Sequence, residues 1–223
     1  VPAEEQQQPA KPLRFVTAAS LFDGHDAAIN VMRRLIQAQG AEVIHLGHNR
    51  GVREIVRAAL QEDADGIAIS SYQGGHVEFF RYMVDMLREN NAAHIRVFGG
   101  GGGTITPEEI DELQAYGVER IYHPRDGMQL GLVGMIEDLV QRTAAVRKPP
   151  VRPDSTGIDD EIAVAQMVSA IEEGLFGESE LARLRKEWTL RAGQVPVVGI
   201  TGTGGAGKSS FTDELLARLL RQF

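Results

Sequence analysis

Residues 66–75 of the chain, with the sequence GIAISSYQGG, decide which fold class the sequence predicts. Gly66–Ser70 is a short apolar run with little polar alternation, which is typical of a strand buried on both faces of a parallel sheet. The run passes directly into polar and glycine residues, as expected where such a strand ends. Four further runs have the same character, and they are Leu13–Ala19, Glu42–Leu46, Ile95–Phe98 and Val118–Tyr122.

Amphipathic stretches follow these runs and complete five strand–helix units. Their apolar residues recur at helical spacing around residues 28–36, 52–60, 77–87, 107–115 and 132–140. Repeated strand–helix units predict an α/β fold whose parallel sheet carries helices on both faces. We therefore assign residues 13–143 to a flavodoxin-like (Rossmann-type) domain with a five-stranded parallel sheet in the order 2-1-3-4-5.

The strand–helix pattern stops near Thr143. Residues 144–194 predict a linker that contains helices around Ile158–Glu173 and Glu178–Arg191. The sequence VPVVGIT, which begins at Val195, predicts a strand that opens a second domain at residues 195–223. Because that domain would hold only one strand and one helix, we expect the chain to be part of a longer protein.

The bulk composition argues against several classes of protein. A formal net charge of −8, without a dense Lys/Arg run, argues against a nucleic-acid partner. The absence of cysteine excludes disulfides and thiolate metal sites. No apolar stretch approaches the ~20 residues that a membrane-spanning helix needs. Residues 1–12 are rich in Gln, Pro and Glu and predict a disordered lead-in. We expect a cytoplasmic protein without a membrane partner.

Three unusual segments fall at the predicted carboxyl edge of the sheet, where doubly wound folds bind ligands. They are Asp23-Gly24-His25, Ser70–Gly75 and the five consecutive glycines Gly99–Gly103. An imidazole that binds a metal usually donates its other N–H to a carboxylate, and the Asp-x-His spacing can supply that pair locally. The glycine run suits a backbone that lies against a bulky ligand, because glycine contributes no side chain to a core.

The same residues carry a family resemblance. Asp23 and His25, then Ser70, then Gly99 and Gly100 follow the pattern D-x-H-x-x-G, S-x-L, G-G, with intervals of matching length. Over roughly residues 13–142 the chain resembles the vitamin B12-binding domain of cobalamin-dependent mutases and methyltransferases. Two residues depart from the pattern, because Ala28 stands where the family has Gly and Tyr72 where it has Leu. The tyrosine is expected to reshape one wall of the cofactor pocket.

The resemblance implies a role for each matching residue. His25 would displace the dimethylbenzimidazole of the cofactor and become the lower axial ligand of cobalt, the base-off/His-on state, and Asp23 would orient it. The freed nucleotide tail would insert between the first and third strands. Ser70 would bond the base of the tail, and Gly99 and Gly100 would make room for it. The candidate cofactor-binding residues are Asp23, Gly24, His25, Ser70, Tyr72, Gly99 and Gly100.

The other histidines give weaker signals. His45 and His48 have a spacing found in zinc sites, but no third ligand is evident, so we interpret them as ordinary residues. His76 lies near the candidate cofactor edge and is a possible corrin contact. His94 and His123 are expected to be surface or strand-end residues.

Residues 202–209, GTGGAGKS, match the phosphate-binding loop G-x-x-x-x-G-K-S between a predicted strand and a predicted helix. Backbone N–H groups and the helix N-terminus favour phosphate, Lys208 adds a positive charge, and the Ser209 hydroxyl can hold Mg²⁺. The candidate nucleotide-binding residues are Gly202, Gly204, Gly205, Gly207, Lys208 and Ser209. Phe211, Leu215 and Leu219 are expected to form the packing face of the helix.

A phosphate-binding loop that follows a B12-binding domain resembles the fused isobutyryl-CoA mutases, in which a G-protein chaperone domain and a substrate barrel follow. The resemblance implies adenosylcobalamin, GTP and Mg²⁺ as cofactors, GTPase activity, and a homodimer. It also implies conversion of isobutyryl-CoA to butyryl-CoA, with the acyl-CoA bound by a barrel outside this chain. No residue here can be assigned to substrate binding, so this segment alone is not expected to be catalytic.

Three alternatives stay open on the sequence alone. The first is another acyl-CoA mutase of the same class, acting on methylmalonyl-CoA or on a different branched acyl group. The second is a corrinoid carrier module for methyl transfer, which by family resemblance would carry a helical cap before the first strand. The third is a regulatory module in which B12 acts only as a signal.

Overall fold

A computed structural model describes residues 11–153, 160–193 and 195–222 of the protein. The chain forms two compact units, one that ends at Leu175 and one that begins at Phe176. Residues 1–10 of the predicted lead-in and the predicted helix start at Ile158 lie outside the described residues. None of the described helices is long and apolar enough to cross a membrane.

The first unit is built on a five-stranded parallel sheet with the strand order β2-β1-β3-β4-β5, so the predicted flavodoxin-like topology is confirmed. The strands are β1 (Arg14–Ala19), β2 (Glu42–His45), β3 (Gly66–Ser70), β4 (Arg96–Gly100) and β5 (Arg120–Tyr122). β4 extends past its predicted end at Phe98, so the first two glycines of the run belong to the strand and not to the loop after it.

A helix follows each strand, as the periodicity predicts. The helices are α1 (Asp26–Ala38), α2 (Val52–Gln61), α3 (His76–Glu89), α4 (Pro107–Tyr116) and α5 (Pro124–Ala145). The Thr106 hydroxyl accepts a hydrogen bond from the backbone N–H of Glu109 and caps α4, which opens with a proline. Gly131 interrupts α5 with a positive φ of 67°, which kinks the helix.

Two hydrophobic layers enclose the sheet. Helices α2, α3 and α4 cover one face, and α1 and α5 cover the other. Alternate residues of β3 pack on opposite faces of the sheet, because successive side chains along a strand point to opposite sides. Ile67 and Ile69 pack toward α2 and α3, whereas Ala68 packs toward α1 and α5. Both faces are therefore apolar, which explains why the strands appear in the sequence as continuous apolar runs.

A sixth helix, α6 (Glu161–Glu172), falls in the predicted linker and packs on the first unit. The Glu161 carboxylate accepts hydrogen bonds from Arg57 and Gln61 on α2. Arg147 donates to Asp65, to the Lys11 carbonyl and to Glu173, so it holds the segment that precedes α6 and the end of α6 at the same edge. The first compact unit therefore includes a part of the predicted linker.

The described part of the second unit consists of helices α7 (Glu178–Ala192) and α8 (Lys208–Gln222) joined by an irregular segment. The prediction of a strand from Val195 is wrong for this structure, since no strand is assigned within residues 195–207. A strand needs a hydrogen-bonded neighbour, and the described residues of this unit contain only helices as regular elements. Phe211 and Leu219 of the predicted packing face are exposed for the same reason, because no sheet covers them.

Replacing Gly99 by alanine should destabilise the first unit. A Cβ at this position would lie 2.4 Å from Phe80 Cζ and 2.6 Å from Ile121 Cδ1, and both of those side chains are buried. We expect the free energy of unfolding in urea to fall by about 1–3 kcal/mol, as for other overpacked cores. Gly103→Ala is the matched control, because nothing lies within 4 Å of its Cβ. Equal losses for the two variants would contradict the packing described.

Candidate cofactor site

The carboxyl ends of β1 and β3 lie side by side, and the chain leaves them toward opposite faces of the sheet. The connection after β1 leads to α1, which packs with α5 on one face. The connection after β3 leads to α3, which packs with α2 and α4 on the other. This divergence is the topological switch point of a doubly wound sheet, where ligands bind.

Asp23, a residue that is only 2% exposed, joins these two connections through its buried carboxylate. Its Oδ1 accepts from the backbone N–H of His25 at 2.8 Å and lies 2.9 Å from the ring Nδ1 of the same histidine. Its Oδ2 accepts from the backbone N–H of Tyr72 at 2.7 Å. The carboxylate therefore fixes the position of the His25 backbone, the His25 ring and the start of the loop after β3.

The His25 side chain is 76% exposed although its partner is fully buried. Because the carboxylate can only accept, the hydrogen of the neutral ring sits on Nδ1 and the lone pair on Nε2. An imidazole held in this way by a carboxylate is the usual arrangement of a metal-binding histidine. The predicted pairing of Asp23 with His25 is present in the structure, and the ring is accessible to a ligand.

Tyr72 packs beside the His25 ring. The centroids of the two rings are 5.5 Å apart with an angle of 42° between their planes. The tyrosine ring also lies close to Gly102, where an added Cβ would be 2.7 Å from Cε1 of Tyr72. Gly102 has a positive φ of 58°. The tyrosine ring therefore occupies the gap between the histidine and the glycine run. Tyr72 also lines the cavity described next, as expected for the position where the family has Leu.

A cavity of about 290 Å³ lies between α1 and α5, over one face of the sheet. Its lining is mostly apolar and includes residues of α1, β3, the glycine run and α5, among them Ala28, Met32, Ser70, Gly100, Leu132 and Met135. Tyr122 also lines it, and burial raises the pKa of this tyrosine so that the phenol stays neutral. A cavity of this size and character suits an organic ligand better than water.

The structure corrects the expected location of the tail pocket. We predicted an insertion between the first and third strands, but β1 and β3 are hydrogen-bonded neighbours along their whole paired length, from Phe15 opposite Gly66 to Ala19 opposite Ser70. No ligand can pass between paired strands without breaking the sheet. The available space lies above β3 and β4 and under α1 and α5.

Ser70 contributes an unpaired hydroxyl to this cavity. The residue is 6% exposed, and its Oγ has no hydrogen-bond partner among the described residues. Neighbouring Ser71 differs, because the Ser20 hydroxyl donates to its Oγ at 2.9 Å. Buried polar atoms are nearly always hydrogen-bonded, so an unpaired hydroxyl in an apolar cavity indicates a missing ligand or water.

The glycines of the run serve different purposes. Gly100 has only the Tyr122 carbonyl within 4 Å of its Cβ position, at 3.5 Å, and lines the cavity. The missing side chain of Gly99 faces the opposite side of the sheet, where Phe80 fills the space. The expectation that Gly99 makes room for a ligand is therefore wrong as stated, although its backbone contributes to the lining. Gly24 has open space around its Cβ position.

The remaining histidines take structural positions or line the cavity. His76 is buried, with Nδ1 3.2 Å from the Gln73 carbonyl and Nε2 3.1 Å from the Glu109 carboxylate. A hydrogen bond from the Thr106 backbone, together with the His76 ring, lowers the pKa of Glu109. His123 caps α5 and lines the cavity, which sequence reasoning missed.

Other residues that sequence reasoning missed lie on α1 and α5, with Ile29, Leu132 and Ile136 among the cavity-lining side chains. Their helical spacing was visible in the sequence but indicates only a packing face. The described residues contain no cluster of three His, Cys, Asp or Glu that could hold a metal ion.

In the second unit, the glycine loop runs directly into α8, which begins at Lys208. The Lys208 ammonium donates to the carbonyls of Gly202 at 2.9 Å and Thr203 at 2.7 Å, so it closes the loop on itself. Gly205 and Gly207 have φ values of 77° and 76°, which only glycine adopts readily. The loop and the helix of the predicted motif are present, without the strand.

Comparison with known proteins agrees with this geometry. The family model of the B12 binding domain matches residues 13–127. The fused isobutyryl-CoA mutase of Cupriavidus metallidurans is 59% identical over 219 residues, which cover 97% of this chain and 20% of that protein. The pivalyl-CoA mutase small subunit of Xanthobacter autotrophicus is 31% identical over 138 residues, which cover 61% of this chain and 90% of that protein.

A solved structure shows the same fold at low sequence similarity. A cobalamin-binding protein from Desulfitobacterium hafniense superposes with a TM-score of 0.50 at 20% identity, covering 59% of this chain and 60% of that one. The predicted similarity to fused isobutyryl-CoA mutases is confirmed, although the chain spans only a fifth of their length. With a family match over more than half of its residues, the chain belongs to the B12-binding domain family.

Proposed function

We propose that residues 13–143 bind cobalamin with His25 as the lower axial ligand of cobalt and with the nucleotide tail of the cofactor in the cavity between α1 and α5. The observation that carries the proposal is the combination of an exposed imidazole, fixed by buried Asp23, with an apolar cavity that holds the unpaired Ser70 hydroxyl. The imidazole thus matches the cobalt of the cofactor, and the cavity with Ser70 matches its nucleotide tail, both at the same edge of the sheet.

The residues present fit this cofactor chemically. Nε2 of His25 is a suitable ligand for cobalt, and the carboxylate beside Nδ1 fixes the orientation of the ring. The Ser70 hydroxyl can donate to a nitrogen of the tail base, and Gly100 leaves the cavity open beside it. Tyr72 holds one side of the imidazole and forms part of the cavity wall, so it helps to position both parts.

In the full-length protein, we propose that this domain serves an acyl-CoA mutase that converts isobutyryl-CoA to butyryl-CoA. Adenosylcobalamin supplies the radical chemistry of such a reaction when it is bound. The chain's own residues hold the cofactor and orient the ligand of its metal. The support is the 59% identity to a fused isobutyryl-CoA mutase over nearly the whole chain.

The relatives of this chain are named for more than one acyl group. A pivalyl-CoA mutase small subunit also matches this chain over most of its own length, at 31% identity. The same kind of domain therefore occurs in proteins named for different acyl groups. Residues outside this chain are proposed to select the acyl group, and a homodimer of the full-length protein is part of the same proposal.

For the second unit we propose a nucleotide site that binds GTP and Mg²⁺ when the rest of its domain is present, and that hydrolyses GTP. The support is the glycine loop that leads into the N-terminus of α8, where backbone N–H groups favour phosphate. Lys208 would exchange its bonds to loop carbonyls for bonds to phosphate, and the Ser209 hydroxyl would reach the metal ion.

His25→Ala should remove the protein nitrogen from cobalt. Labelling the protein with ¹⁵N changes the nitrogen splitting in the electron paramagnetic resonance spectrum of bound cob(II)alamin only if the axial nitrogen belongs to the protein. We expect this change in the wild-type chain and not in the His25 variant. His48→Ala, which alters an exposed histidine after β2, is the control and should retain the change. A labelling effect that persists without His25 would contradict the assigned ligand.

Ser70→Ala should weaken cobalamin binding without lowering the stability of the unliganded chain. Within the described part of the chain the hydroxyl has no partner to lose, and a neutral hydrogen bond to the tail corresponds to about two- to tenfold in the dissociation constant. Spectroscopic titration and urea unfolding measure the two effects. Ser71→Ala should show the reverse pattern, since it breaks the bond from Ser20. Unchanged affinity in the Ser70 variant would refute the placement of the tail.

Lys208→Ala should leave the affinity for cobalamin unchanged, because the lysine belongs to the second compact unit. In full-length protein it should abolish the binding of GDP with Mg²⁺, since the lysine charge is lost from the phosphate loop. Equilibrium titrations with methylcobalamin and with GDP measure the two affinities. A cobalamin affinity that falls by about tenfold or more would show that the two motifs are not independent.

A further inference from the structure

Phe22 has an unfavourable backbone conformation and an unfavourable environment. Its φ is 65°, in the left-handed region that bulky residues rarely adopt. Its side chain is 80% exposed, so no contact with a hydrophobic core offsets that strain. The residue lies immediately before Asp23 in the loop between β1 and α1.

The neighbouring groups impose this conformation from both sides. The backbone N–H of Phe22 donates to Asn49 Oδ1 at 2.8 Å, and Asn49 itself has a φ of 56° in the loop after β2. The next residue, Asp23, donates its backbone N–H to the Ser20 carbonyl at 3.0 Å. Asp23 is also anchored by its buried carboxylate. These bonds therefore fix the backbone of Phe22, and its ring projects from the loop into solvent.

The position of the ring indicates what would cover it. Phe22 lies three residues before His25, and the same carboxylate that orients the imidazole fixes the backbone between them. Leu132 at the lining of the cavity is also 48% exposed. Strained residues and exposed apolar side chains of this kind concentrate at ligand sites. A broad ring system centred on a metal bound by His25 must extend over the residues that flank the histidine.

We propose that Phe22 is a cofactor-binding residue, whose ring packs against the face of the corrin on which His25 binds cobalt. This assignment rests on the proposed function, and it adds a contact with the macrocycle to the contacts with the metal and with the tail. The backbone from which the ring projects is already fixed before the cofactor arrives, so little backbone conformational entropy is lost on binding.

Two substitutions separate the ring from the backbone strain. Phe22→Asn removes the apolar ring and places a residue that tolerates positive φ, so the midpoint of urea unfolding of the unliganded chain should stay equal or rise. The dissociation constant for methylcobalamin should rise by about tenfold, as expected when a phenylalanine contact is lost. Phe22→Leu keeps an apolar side chain and should lose less affinity than the asparagine variant.

The control for a purely structural effect is the ¹⁵N-dependent splitting of cob(II)alamin in the asparagine variant. The splitting should persist, because His25 and Asp23 are unchanged. Loss of that splitting would mean that Phe22 acts by positioning the histidine. Equal affinities of the wild type and the asparagine variant would mean that the Phe22 ring does not contact the corrin. Either result overturns the assignment. A wild-type chain that binds no cobalamin would instead refute the proposed function.

Discussion

The buried carboxylate of Asp23 is the interaction on which the candidate site depends. A carboxylate removed from water needs hydrogen-bond donors to offset the loss of hydration. Asp23 obtains them from the backbone N–H groups of His25 and Tyr72 and from the His25 ring. One set of donors belongs to the loop after β1 and the other to the loop after β3. A single buried acid therefore couples two loops that leave the sheet toward opposite faces, and it holds the exposed imidazole beside the cavity wall that Tyr72 forms.

The strands of the sheet and the pairing of Asp23 with His25 were predictable because both are local features of the sequence. Apolar runs such as Gly66–Ser70 define the strands, and the Asp23–His25 spacing brings its two side chains together without help from the rest of the fold. The cavity was not predictable, because its location depends on how α1 and α5 pack. The role of Gly99 was not predictable either, since a glycine run has no side-chain alternation to show which residue faces which side. Only the register of β4, with Gly99 against Phe80, decides it.

The segment after α5 shows the same difference between local and long-range information. Helix α6 was expected from its sequence, but its attachment to α2 through Glu161 and Arg57 involves residues far apart in the chain. The apolar sequence from Val195 favours a strand by composition, and the structure has none there because strand formation requires a neighbouring strand. Lys208 illustrates the opposite case, since its bonds to Gly202 and Thr203 close a loop whose glycines determine its shape locally.

Several features of the carboxyl edge are unfavourable in the protein alone. The Ser70 hydroxyl is buried without a partner in the described ranges of the chain, and Phe22 combines a positive φ with an exposed ring. Neither feature belongs to the two hydrophobic cores that cover the faces of the sheet. Both features lie at the carboxyl edge of the sheet, one in the loop after β1 and one at the end of β3. A ligand that binds only the folded state adds stability in proportion to the logarithm of its concentration over its dissociation constant. A cofactor that bonds the serine and covers the phenylalanine would therefore offset the unpaired hydroxyl and the exposed ring at the points where they arise.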